Sequence, residues 1–92
     1  MTSRHAKLAS AAIPVVTLDR VRAPGRVQVR EIAGGRSAVL LLGQLDIRVG
    51  EALEVQRIAP WGGPILVESN GSVVAVGRGL ARKVWVEVLG CE

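Results

Sequence analysis

The chain has 92 residues, 49% of them hydrophobic, with 11 Gly and 4 Pro but no Phe, no Tyr and only two Trp. That length supports one domain burying about 60–65% of its unfolded surface, with a core of Val, Leu, Ile and Ala, a composition that favours short strands and turns over helices. The net charge of +4 comes from dispersed Arg residues, and the single Cys excludes an internal disulfide and a Cys-based zinc site within one chain.

In chain order, residues 1–14 are expected to form a loose N-terminal tail or strap, since Ser, Ala and basic residues there show no period. The basic prefix Arg4-His5-Ala6-Lys7 faintly resembles a signal peptide, but Ser10, Pro14 and Thr17 interrupt the apolar stretch behind it. Residues 15–90 are expected to form a single domain, which opens on Val15-Val16. Ala23-Pro24-Gly25-Arg26 is a turn signal leading into a strand over Arg26–Ile32, where Val27 and Val29 alternate with Gln28 and Arg30. After Gly34-Gly35, Ser37 is the expected N-cap of a short helix over Ala38–Leu45, whose Ala38, Leu41, Leu42 and Leu45 fall on one stripe. Five consecutive apolar residues wrap more than one face, which leaves Val39 or Leu40 outside.

The next strand, Glu51–Ile58, places Leu53 and Val55 on a buried face, and Ile58 breaks the parity. A β-bulge near Gln56 and Arg57 would absorb the extra residue. Ala59-Pro60-Trp61-Gly62-Gly63-Pro64 cannot continue a ladder, because two prolines lack donors and two glycines admit positive φ. Ile65–Glu68 and Ser72–Val76 flank Ser69-Asn70-Gly71, a strong hairpin signal. Gly77–Arg82 reads as one 3₁₀ turn, and Lys83–Val88 closes the chain with Val84, Val86 and Val88 alternating inward. Five strands and one short helix describe an all-β, small SH3-like barrel.

The chemical inventory is sparse. The only His is His5, in the tail, and the only Cys is Cys91, so nucleophilic triads lack members and no enzymatic activity or cofactor is expected. A stable transition-metal site within one chain is not expected either, with His5, Cys91 and Glu92 across an oligomer the only candidate set. Glu51 and Glu54, the only close carboxylates, fall on opposite faces of a strand. Gly62-Gly63 and Gly77-Arg78-Gly79 lack the Lys and Ser/Thr spacing of a phosphate loop. Basic charge invites an acidic partner, but nucleic-acid platforms interleave it with aromatics, which are nearly absent here, so nucleic acid is not the expected partner. No segment reaches the roughly 18 apolar residues of a membrane span, and direct membrane insertion is not expected. Surface recognition remains, and its candidates are Leu40 on the helix and the corner Pro60, Trp61, Gly62, Gly63 and Pro64. A Trp on a short loop reads equally as an exposed anchor or as core.

The order of these pieces resembles the ferrous iron transport protein A (FeoA) family. The similarity runs from about Val16 to Val88 and includes Pro24-Gly25, Leu40-Leu41-Leu42, Val49-Gly50, the Ala59–Pro64 corner and Val84-Trp85-Val86. The family usually has Pro where Val49 stands, Gly where Asp46 stands and often Leu where Trp61 stands; Asp46 tolerates the left-handed conformation that such a Gly would adopt. The resemblance implies an SH3-like barrel acting as a cytoplasmic, non-enzymatic accessory or adaptor protein of bacterial ferrous iron uptake. Its implied partner is the cytosolic GTP-binding part of the membrane ferrous iron permease FeoB; a homo-oligomer is compatible with the sequence. The alternative is a nucleic-acid-associated module, or a transcription-regulator-associated one like the barrel of DtxR-type iron-dependent repressors, although no helix-turn-helix segment is visible.

Overall fold

The computed structural model describes residues 15–91, and the side chains of 15–90; the expected tail, with His5, lies outside them, as does Glu92. Six antiparallel strands make one sheet: β1 (Val15–Thr17), β2 (Gly25–Ile32), β3 (Ala52–Ile58), β4 (Ile65–Ser69), β5 (Ser72–Val76) and β6 (Val84–Cys91), in spatial order β1-β6-β2-β3-β4-β5. A 3₁₀ turn (Leu18–Arg20) follows β1, helix α1 (Gly35–Gln44) joins β2 to β3, and a single helical turn α2 (Arg78–Ala81) joins β5 to β6. The fold is all-β and SH3-like, as expected. The sheet wraps a core in which Leu18, Val27, Leu42, Ile47, Val55, Ile65, Val67, Val84 and Val86 are fully buried. Every one of these is aliphatic, as the composition requires.

The sequence expectation of five strands becomes six because β1 was not counted. Three residues are too few to show alternation, yet Val16 pairs with Val86 and packs against the core. The parity break in β3 is a real bulge: the register to β4 shifts between Val55 and Arg57, leaving Gln56 without an opposite residue, and Ile58 faces Ile65 partly buried. The hairpin is also present. Ser69 pairs with Ser72 across Asn70 (φ 52°) and Gly71 (φ 84°), the two left-handed residues that a tight hairpin turn matching strand twist requires. Asp46 adopts the expected left-handed conformation at φ 63°.

Two helical expectations need correction. Helix α1 begins at Gly35, and its N-cap is Gly34 at φ 97°, so Ser37 lies inside the first turn and caps nothing. The left-handed glycine swings the chain directly out of β2, immediately after Ala33 donates to the Lys83 carbonyl at 2.7 Å, and a side-chain cap is not needed to start the helix. On its stripe Ala38 and Leu42 are buried and Leu45 partly so, whereas Leu41 is 49% exposed, because the sheet covers only a narrow strip of α1. The segment after β5 is one α-helical turn rather than a 3₁₀ turn, with Ala81 N–H donating to Gly77 O at 2.9 Å and Arg82 N–H to Arg78 O at 3.1 Å.

Candidate partner-binding surface

The β3–β4 connection is built from residues that cannot be strand. Ala59 N–H donates to Pro64 O at 3.0 Å, and Gly63 N–H donates to Pro60 O at 3.1 Å, closing a four-residue turn. Its two central residues, Trp61 (φ 61°) and Gly62 (φ 74°), are both left-handed. For Gly62 this is free; for Trp61 it costs of order 1 kcal/mol, since Cβ crowds the following carbonyl. The turn is tight at Gly63, where a Cβ would stand 2.8 Å from the Ala59 Cβ and 3.2 Å from the Pro60 carbonyl. Arg78, on α2, reaches the corner from outside: Nε donates to Gly63 O at 2.8 Å and Nη2 to Ala59 O at 3.0 Å. Trp61 itself is 99% exposed, flanked by exposed Pro60, Gly62 and Pro64. It is not a core residue.

Leu40 is 61% exposed on the outer side of α1 beside Val39 and Leu41, each about half exposed. Leu40 and Val39 line an open cavity of about 420 Å³ with Gly43, Gln44 and Arg48. The Arg48 guanidinium is turned back on the helix end, donating to Gly43 O at 2.9 Å and to the Asp46 carboxylate at 3.1 Å. The sequence offered Leu40 and the corner as candidates, and they lie on different elements, Leu40 on α1 and the corner between β3 and β4. In the chain, α1 precedes β3 and the corner follows it.

Two contributors were missed by the sequence reading. Trp85 was legible as outward-facing from its alternation, yet not as the 40%-exposed wall of an open cavity of about 540 Å³ lined also by Val15, Thr17, Asp19, Arg20 and Arg82. There Asp19 accepts from the Thr17 hydroxyl at 2.6 Å and lies 3.7 Å from the Arg82 Nε. Arg78 gave no signal, because its partners are backbone carbonyls that no side-chain pattern reports. Among the described residues, no three His, Cys, Asp or Glu side chains gather as metal ligands would, and no helix is long and apolar enough to cross a membrane.

Comparison with known proteins decides the family: the FeoA domain matches residues 16–88. The chain belongs to the FeoA family. A protein of Methanocaldococcus jannaschii, provisionally named Fe(2+) transport protein A, is 39% identical over 61 residues, which is 66% of this chain and 72% of that protein. The crystal structure of an iron uptake regulatory protein, itself a FeoA, superposes with a TM-score of 0.78 at 32% identity, over 83% of this chain and 100% of the other. A manganese-dependent transcriptional repressor shares the fold alone, with a TM-score of 0.75 at 22% identity over 85% of this chain and 44% of the repressor. The FeoA family is one involved in ferrous iron transport.

Proposed function

We propose that this FeoA is a non-enzymatic adaptor that docks, in the cytoplasm, on the cytosolic GTP-binding part of the permease FeoB through its Trp61 corner. The observation that supports this reading is Trp61 itself, a large aromatic held at 99% exposure on a backbone conformation that disfavours it. Folding gains nothing from that arrangement, since an exposed indole buries no area and the left-handed backbone is strained. A partner that buries the ring gains a hot-spot contact. Pro60 and Pro64 on either side limit the backbone freedom that such docking would otherwise have to remove. Leu40 and Val39, on α1, form a second exposed apolar patch.

The test is Trp61→Ala in the full chain. The thermal midpoint should stay within a few degrees of the parent, while affinity for the purified cytosolic part of FeoB should fall about 30-fold, the equivalent of roughly 2 kcal/mol. A variant that binds as the parent does would end the corner's claim to the interface. Leu40→Ser, tested alongside, reports separately on the second patch.

A further inference from the structure

We propose that Arg78 is the positioning residue that presets the Trp61 turn for its partner; this rests on the reading of the corner as the docking surface. In an antiparallel pair, two opposed residues exchange both of their N–H···O bonds. Across the corner, Ala59 gives its N–H to Pro64 O, but the return bond cannot form because Pro64 has no N–H. The Ala59 carbonyl is therefore short of a donor at the point where the turn leaves the sheet. The Nη2 of Arg78 supplies that donor at 3.0 Å, and Nε of the same guanidinium takes the Gly63 carbonyl at 2.8 Å.

One planar group thus joins both legs of the turn, from a residue 15 positions beyond Gly63 in sequence. The rigid fork fits this task, whereas a lysine ammonium on a flexible stem cannot hold both carbonyls in the same fixed geometry. Arg78 touches the base of the turn and its carbonyl bonds leave the indole free, so it acts on the partner through the set of the turn. Without it, the four residues around Trp61 keep only the Gly63–Pro60 bond and the single Ala59–Pro64 bond. Binding would then have to order them.

The experiment uses the full chain carrying Trp85→Phe, so that Trp61 is the only indole, with Arg78→Ala and Arg78→Lys added in turn. Circular dichroism confirms the native state at the working temperature, and time-resolved fluorescence anisotropy reads the local order of Trp61. Arg78→Ala should lower the residual anisotropy clearly, with Arg78→Lys between it and the parent; Arg78→Lys carries the test if Arg78→Ala does not fold. Unchanged anisotropy in the folded variants overturns the proposal. The second arm measures affinity for the permease's cytosolic part. Arg78→Ala should weaken it about tenfold in the Trp61 chain but less than twofold in a Trp61→Ala chain, a non-additivity that a general loss of stability would not produce. Equal weakening in both chains also overturns the proposal. If Trp61→Ala leaves binding unchanged, the docking reading is what fails, and the anisotropy arm alone decides the role of Arg78.

Discussion

Among the described residues, three that are not glycine adopt left-handed backbone: Asp46, Asn70 and Trp61. Asn and Asp bond their own backbone and tolerate that region, so Asp46 and Asn70 were legible from residue type. Trp61 was not, since nothing in an indole favours positive φ; its conformation is imposed by the closing bonds of the turn and by Arg78. This yields a stability prediction. Trp61→Gly removes the larger of the two Trp side chains' exposed surfaces, yet relieves the strain at φ 61°, against about 0.5–1 kcal/mol of added unfolded-state entropy for Gly. Urea unfolding should show the variant equal to the parent or up to about 1 kcal/mol more stable. A loss above 1 kcal/mol would mean that the ring packs on the barrel.

Among the elements, β3 and the β4–β5 hairpin were the most legible, because alternation and its single interruption are local signals. The bulge at Gln56 followed from Ile58 alone. The start of α1 was misread since Ser37 is a good cap by type, whereas Gly34 starts the helix by backbone geometry that depends on β2 and Lys83. A Cβ at Gly34 would come within 2.8 Å of the Lys83 Cδ, a contact no sequence window contains. The hairpin is also tied across the fold: Ser69, 1% exposed, donates its hydroxyl to the Asp46 carbonyl at 2.7 Å and so anchors the turn to the loop before β3. Ser69→Ala leaves that carbonyl without this donor, and chemical denaturation should show a loss of about 1–2 kcal/mol. An unchanged midpoint would mean that water replaces the hydroxyl.

At the scale of the whole molecule, the charge of +4 comes from Arg residues dispersed along the sequence. Arg30 pairs with Glu87, Arg48 with Asp46 and Arg82 with Asp19, all with partly or largely exposed guanidinium groups, so these pairs add little stability. Arg78 is spent on backbone carbonyls. Binding to generic duplex DNA should accordingly be weak near physiological salt and rise steeply only as salt is lowered; fluorescence anisotropy showing submicromolar affinity at physiological salt would favour a nucleic-acid partner instead. Residue type left Trp61 open between an exposed anchor and core, and only the fold shows it exposed.

The position of β6 in the sheet also orders events in time. It lies between β1 and β2, pairing Val16 with Val86 and Val27 with Val88, residues sixty or more positions apart. On a ribosome, β3, β4 and β5 can meet as soon as each short turn is made. Strand β2 can pair with β3 on one edge, but β1 and the other edge of β2 wait until Val84–Cys91 has emerged to lie between them. Such long-range closure is slow compared with hairpin formation. The growing chain therefore keeps its longest-lived unpaired strand edges on β1 and β2, where a chaperone or an early partner would find them.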